Sequence, residues 1–326
     1  MDHAKKLQVE VAFADRKAAV LAPSTLECLS GLPTVNLTAG CAHNCLYCYS
    51  RGYSQFPGEN KVVVYANTFE KLQAELPRKR KKPVAVYFSP STDAFQPVDE
   101  VLQLGYRCMR YLLEHDVGVA VLTKGRIPER HMELFAAHST LVQVQVDVTT
   151  LDEGIAAVFE PYAALPDVRI RQMARLVRAG VTTRARLDPI LPGITDGEAD
   201  LATLVERIAE TGVKEATIAT LFLRPMITGT LRRNLSSRPD LFARLMSEFE
   251  DSRPLALHAE KSRVVSLSVA KRQCIYSFFR SAAARHGISV RVCACKNGDM
   301  PSESCNIAGK WTKPHAPAQT SLFSVP

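Results

Sequence analysis

Val142-Gln143-Val144-Gln145-Val146-Asp147 alternates valine with a polar residue at every step. That is the period of an extended strand, whose successive side chains point to opposite faces. A strand buried on both faces reads as a near-continuous apolar run. The valines are therefore assigned to a helix-covered face, and Gln143, Gln145 and Asp147 to the opposite one. The pattern recurs downstream, where Arg184, Arg186 and Asp188 share a face, and upstream, where Asn36 and Thr38 do. A closed lumen would have to bury these groups unpaired, at a cost of several kcal/mol each. A wet, partly open lumen holding a polar ligand accommodates them, unless neighbouring strands pair them with one another.

Working outward, short runs rich in Val, Ile and Thr alternate with amphipathic stretches of ten to fifteen residues, the pattern of repeated βα units around a parallel sheet. Strands are predicted at 34–38, 83–88, 117–123, 142–148, 181–187 and 214–221, and helices at 68–77, 98–115, 127–137, 167–179 and 198–211. Thr195 and Asp196 are cap candidates for the last of these helices. The fold class is α/β, a partial (β/α)6 barrel. Leu231 to Asn234 and Ser236 to Arg238 read as a basic, polar connection, followed by helices near 239–250 and 269–286 and a strand at 288–292. The expected organisation is an N-terminal arm at 1–33, the partial barrel at 34–225, a cysteine-containing extension at 226–311 and a disordered tail at 312–326, where Pro, Ala, Ser and Thr dominate.

The chain has 326 residues, 46% of them hydrophobic and 23% charged, which excludes wholesale disorder and a fibrous repeat. No stretch approaches the roughly 18 apolar residues of a membrane span, and the N-terminus carries no export signal. A cytoplasmic location is expected, where nine cysteines are metal ligands, reactive thiols or small buried hydrophobes rather than disulfides. A net charge of +8 permits an anionic partner such as nucleic acid without identifying one.

Gly40-Cys41-Ala42-His43-Asn44-Cys45-Leu46-Tyr47-Cys48-Tyr49 follows the first predicted strand, in a βα loop at the barrel mouth where active sites form. Three thiols give an iron-sulfur cube only three protein ligands and leave one iron open. A zinc site would need His43 as fourth ligand, and its place between two of the cysteines makes tetrahedral closure awkward.

This C-x3-C-x2-C with an aromatic before its last cysteine resembles the radical SAM superfamily, and within it the spore photoproduct lyase-like, DNA repair photolyase-related group. The resemblance runs from about Thr34 to Pro225. It rests also on Ser91-Thr92-Asp93-Ala94-Phe95-Gln96-Pro97, on Thr123-Lys124 and on Asp188 to Asp196. It implies a 4Fe-4S cluster on Cys41, Cys45 and Cys48, with S-adenosylmethionine on the open iron, reductively cleaved to methionine and a 5'-deoxyadenosyl radical. Thr92 and Asp93 match positions that hold the methionyl group, Lys124 its carboxylate partner, and Tyr47 an adenine contact. Gln145, Asp147 and Arg186 are further cofactor candidates from the lumen face. Tyr47 and Tyr49 are the catalytic candidates, with Tyr49 a relay for a hydrogen atom or a shield for the cluster. The hydrogen-donating cysteine of spore photoproduct lyase has no counterpart, since Tyr87-Phe88-Ser89-Pro90-Ser91 contains none. An electron donor such as flavodoxin or ferredoxin is implied.

Cys293, Cys295, Cys305 and Cys274 form a second ligand-like group, for which a second iron-sulfur cluster, zinc and plain reduced thiols are all open. Cys28 and Cys108 read as isolated small hydrophobes. Arg78 to Lys82 falls between a helix and the next strand, on the face away from the cysteines. Lys124, Arg126, Arg130, Arg224, Arg232 and Arg233 are better placed for phosphate. Action on nucleic acid or a nucleotide leads, ahead of a small metabolite or natural-product precursor and of a non-catalytic iron-sulfur DNA-binding protein. Gln319-Thr320-Ser321-Leu322-Phe323 resembles the motif that docks on the bacterial β sliding clamp, which makes that clamp a candidate partner.

Overall fold

The computed structural model describes residues 9–24, 27–29, 31–257, 262–303 and 311. Cys305, the Gln319 to Phe323 stretch and the tail expected from 312 lie outside the described residues. In chain order the elements begin β1 (Glu10–Ala14), β2 (Ala22–Pro23), β3 (Pro33–Val35), β4 (Thr38–Ala39), β5 (Lys61–Tyr65), α1 (Thr68–Glu75), β6 (Ala85–Phe88), α2 (Asp99–Leu113), β7 (Gly118–Thr123) and α3 (Glu129–Ala137). They continue with β8 (Val142–Asp147), α4 (Glu153–Phe159), α5 (Pro166–Arg178), β9 (Thr182–Ile190), α6 (Glu198–Ala209), β10 (Glu215–Thr220), β11 (Phe222–Leu223) and α7 (Pro225–Asn234). The last are α8 (Pro239–Ser247), β12 (Arg253–Leu257), β13 (Ser262–Ser266), α9 (Val269–Arg285) and β14 (Ser289–Val292).

The main sheet is open, in the order β14-β10-β9-β8-β7-β6-β3-β2, and parallel from β14 to β3. Val142, Val144 and Val146 are fully buried in the core beside helix residues such as Leu104, Met173 and Leu176. Each buried valine contributes about 1.5–3 kcal/mol, so the alternating register of β8 is firmly set: a slip of one residue would bring the polar set against the helices.

The opposite face is not simply wet. Arg184 donates to Gln143 Oε1 at 2.9 Å and to Glu215 Oε2 at 2.8 Å, and Arg186 donates to Gln145 Oε1 at 3.3 Å and to Asp188 Oδ2 at 2.7 Å. Cross-strand partners thus satisfy much of the lower lumen. Leu29 and Leu32 pack there with Ala85, Tyr87 and Ala120, and Trp311 packs against them. A Cβ on Gly118 would stand 2.4 Å from the Trp311 ring, so this position has to be glycine for the ring to sit there.

The strand predicted at 34–38 is divided. Its backbone stays in the main sheet only through Val35, and Thr38–Ala39 leaves to pair antiparallel with β5 in a second sheet, β1-β5-β4. Asn36 and Thr38 therefore do not share a lumen face. Asn36 Oδ1 accepts from Ser91 N, and Thr38 Oγ1 accepts from Gln96 Nε2. The expected connection at Leu231 to Asn234 is part of α7, because Ile227, Thr230 and Leu231 form a buried face that the arginines obscure in the sequence. The cap of α6 is Gly197 rather than Thr195 or Asp196, and Thr195 Oγ1 instead accepts from Leu191 N at 2.9 Å. β14 from the expected extension pairs with β10, so that segment continues the main sheet.

Candidate active site

One cavity lies at the C-terminal ends of the strands. Its walls come from the loops after β4, β6, β7, β8, β9 and β10, together with α7 and Lys296. Cys41, Cys45 and Cys48 all line it. Their loop connects the antiparallel pair β4 and β5, and Gly40 starts it at φ 78°, where a Cβ would stand 2.3 Å from the Lys61 carbonyl. Glycine is required on both counts. Buried Arg51 clamps the loop from within, donating to the Cys45 carbonyl at 3.2 Å and the Asn44 carbonyl at 3.0 Å, while Glu59 balances its charge. Gln96 ties the loop to the next strand end by accepting from Ala42 N at 2.8 Å.

Asp93 is fully engaged. Its Oδ1 accepts from Phe95 N and Thr123 Oγ1 and its Oδ2 from Lys124 N, at 2.8 Å each, and His43 Nε2 stands 3.1 Å from Oδ2. Burial would raise its pKa, but His43 and the backbone donors outweigh this and hold it below the usual range. Asp93 therefore fixes two loops against the cysteine segment. Nearby, Ser89 is left-handed at φ 53°, a rare conformation for a serine, and it donates from its backbone to the Val35 carbonyl at 2.7 Å. The hydroxyls of Ser89 and Thr92 are buried with no hydrogen-bond partner among the described residues.

The floor is ionic. Lys124 Nζ lies 2.7 Å from Asp147, 3.1 Å from Glu160 and 3.1 Å from the Asp188 carbonyl. Glu160 also pairs with Arg169 and accepts from the Tyr47 hydroxyl. Burial disfavours every charge here. For Lys124 the two carboxylates prevail and raise its pKa. For Glu160, Arg169 and Lys124 prevail and lower it. For Asp147 burial wins, and its pKa is pushed up to about 6.

Tyr47, Thr92, Asp93, Lys124 and Asp147 thus line the cavity, as does Tyr49, whose hydroxyl donates to the Pro90 carbonyl at 2.6 Å. Gln145 and Arg186 lie outside its lining, in the paired layer of the lower lumen. Glu160, Arg169 and Arg51 escaped the sequence reading, and His43, weighed there only as a zinc ligand, faces Asp93 instead. Glu160 and Arg169 belong to no local motif, and Lys296, which reaches Asp188 at 2.5 Å, comes from a distant part of the chain.

The residues fit an iron-sulfur cluster and a polar cofactor. Burial, aided by Asp93 and Cys45, raises the Cys41 thiol well above its ordinary value, and burial with Glu160 raises Cys45. Thiolates in such a place need a cationic metal core beside them. The unpartnered Ser89 and Thr92 hydroxyls offer hydrogen bonds to a bound polar group.

A parallel sheet with three cysteines on one loop at its carboxyl edge is the arrangement that the resemblance in the cysteine motif implies for an S-adenosylmethionine and iron-sulfur protein. The chain belongs to the Radical SAM superfamily, whose profile matches residues 35–205. "Uncharacterized protein Rv2578c" of Mycobacterium tuberculosis is 28% identical over 221 residues, and the chain spans 65% of that relative's length with 65% of its own. The Radical SAM Nalpha-GlyT isomerase of Pseudomonas phage M6 is 25% identical over 173 residues, covering 53% of this chain and 35% of the phage protein. Spore photoproduct lyase with bound AdoMet and dinucleoside spore photoproduct has a similar structure, with TM-score 0.66, 14% identity, and 86% and 81% of the two chains covered. At that identity the likeness speaks to the fold.

Proposed function

We propose that the chain is a radical SAM enzyme that acts on nucleic acid or a nucleotide in a repair-like reaction. When bound, a 4Fe-4S cluster supplies the electron that splits S-adenosylmethionine, giving methionine and a 5'-deoxyadenosyl radical able to abstract a hydrogen atom. Cys41, Cys45 and Cys48 are its ligands. Thr92 and Ser89 offer hydroxyls to the cofactor's polar end, and Lys124 offers a fixed positive charge. Phe56, Leu122, Leu221, Phe222 and Ile227 give the cavity an apolar side that keeps water from a radical. Tyr49 stands at the cavity edge, where it can relay a hydrogen atom.

The observation that carries the substrate class is the set of exposed arginines on the cavity side. Arg126 and Arg130 follow β7, and Arg232 and Arg233 lie on α7 beside the cysteine loop. By contrast, Arg78 to Lys82 precedes β6, at the far end of the sheet. Of the similar proteins named above, the spore photoproduct lyase, which carries a dinucleoside photoproduct, supports the same reading. Phosphate contacts release counterions, so affinity for DNA should fall steeply with salt, and Arg126→Ala/Arg130→Ala/Arg232→Ala should flatten the dependence. Transfer of deuterium from a labelled damaged oligonucleotide into 5'-deoxyadenosine tests the reaction itself. No transfer and no DNA binding at low salt would discard the substrate class and leave the small-metabolite reading. The electron donor is proposed to be of the flavodoxin or ferredoxin class. Gln319 to Phe323 is proposed to dock on a β sliding clamp, which a peptide of residues 312–326 tests against its Leu322→Ala/Phe323→Ala form.

A further inference from the structure

The main sheet does not close, and its two edges are β2 and β14. Cys28 follows β2, and Cys293 and Cys295 follow β14. Almost the whole chain separates them, yet Cys28 and Cys295 pack with Cys293 and Ala219 in one patch. Cys28 also touches the lumen cluster of Leu29, Tyr87 and Ala120. The sequence placed Cys28 alone and Cys274 with this group. The structure joins Cys28 to it and leaves Cys274 exposed on α9.

The turn that carries Cys293 and Cys295 is held more firmly than apolar packing requires. The Cys293 N–H donates to the Ile218 carbonyl at 3.2 Å, and its carbonyl accepts from Asn297 Nδ2 at 2.9 Å. Asn297 is itself fixed by Arg272 at 2.9 Å and Tyr276 at 3.1 Å. Arg272, only 2% exposed, also pairs with Asp299 at 2.8 Å. Glu303 locks the other flank through the Ala294 N–H and the Val292 carbonyl, both at 2.9 Å. Ligand loops commonly have such an outer layer of hydrogen bonds, and thiols from two unpaired strand edges meet at its centre.

We propose that Cys28, Cys293 and Cys295 ligate a second iron-sulfur centre that staples the two edges of the open sheet. Among the described residues no group of three His, Cys, Asp or Glu side chains is already placed to hold a metal ion, and this is equally true of Cys41, Cys45 and Cys48. A zinc ion with bonds near 2.3 Å draws its thiolates together. A multi-iron core accepts thiolates set wider apart, so thiols brought from two separate strand edges suit a cluster. The centre adjoins the cavity, because Lys296, the residue after Cys295, lines it.

The test is a Cys41→Ala/Cys45→Ala/Cys48→Ala variant reconstituted anaerobically with iron and sulfide. It should retain about four iron and four sulfide per chain, half the wild-type content, with a reduced-cluster paramagnetic signal. Adding Cys293→Ala/Cys295→Ala or Cys28→Ala should remove both iron and signal, whereas adding Cys108→Ala should leave them. The first variant leaves the second group intact, so misfolding of a Cys28→Ala chain would not blind the experiment. Loss of all iron in that first variant, or retention of zinc in place of iron, overturns the second centre. Wild type holding about four iron, all lost in that variant, would refute this centre and leave the first standing. Wild type holding none would refute both.

Discussion

The two cysteine groups are built in opposite ways. Cys41, Cys45 and Cys48 lie on one loop, so their spacing alone brings them to one cavity. Cys28, Cys293 and Cys295 meet only because the sheet curves until its first and last strands approach. A local group can be read from sequence and depends on the fold mainly for its walls. A long-range group reports on the fold, and disturbing it should act through the sheet edges. Their buried charges differ in the same sense: around the first, Lys124, Asp147, Glu160 and Arg169 form a floor for a ligand, whereas around the second, Arg272 serves a backbone turn.

The sharpest way to break this contrast is at the local group. Cys41→Ala should lower 5'-deoxyadenosine formation at least about a hundredfold while leaving the thermal midpoint nearly unchanged. Chromatographic assay of 5'-deoxyadenosine beside a melting curve checks both halves. A matching loss of stability would mean that the first group, too, holds the fold together.

Next in size is the floor. Glu160→Gln keeps the shape but strips the charge that balances Arg169, which is 1% exposed, and Lys124. Breaking a buried ion pair from one side costs about 3–5 kcal/mol, so denaturant unfolding should show a loss of that order. A loss below about 1 kcal/mol would show that water reaches the floor and that the charges serve only the ligand.

How much of this was legible follows from the same distinction. The valine alternation of β8 placed its polar face correctly, because a period of two is a local property. The cysteine loop and the Thr92-Asp93 segment were visible as motifs. Glu160 and Arg169 were not, since a carboxylate and a guanidinium from separate helical regions carry no signal until folding brings them together. The strand at 34–38 misled because Leu37 and Thr38 suit a strand equally well in either sheet. Only the antiparallel partner β5, itself overlooked, decides where they go. Cys28 packs as the small hydrophobe expected, but its contact with Cys293 was not legible, because a single cysteine has no pattern and its neighbours depend on how the two edges of the open sheet approach.

Acid separates metal loss from unfolding. His131 is fully buried against the Phe95, Tyr106 and Phe135 rings, and burial, with Arg130 nearby, lowers its pKa to about 4. The unfolded chain takes up this proton near pH 6.5, while the folded chain refuses it until about 4. Its contribution is complete above 6.5 and is lost as pH falls toward 4, on the order of 3 kcal/mol in all. His131→Phe should flatten that part of the stability profile. Iron release from the cysteines should keep its wild-type pH dependence, because thiolate protonation is independent of α3. If both profiles moved together, iron loss would be a consequence of unfolding.

The smallest effect separates binding from folding within the wall of a single cavity. Thr92 and Thr123 both line the cavity, but their hydroxyls have different duties. Thr123 Oγ1 donates to Asp93 at 2.8 Å and accepts from Gly125 N at 2.7 Å. Thr92 Oγ1 has no partner among the described residues. Valine at 123 strands a buried carboxylate oxygen and an amide, and should cost about 1–3 kcal/mol of stability. Valine at 92 removes a group the fold does not use, so the melting temperature should hold or rise slightly. If that hydroxyl serves the cofactor, S-adenosylmethionine affinity should fall about tenfold, the worth of one hydrogen bond of about 1.4 kcal/mol. Calorimetric titration of the reconstituted protein reads the affinity, and Thr92→Ser should restore it because the hydroxyl returns without the methyl. Unchanged affinity in Thr92→Val would place the cofactor's polar end elsewhere in the cavity, with Ser89 as the remaining unpartnered hydroxyl to receive it.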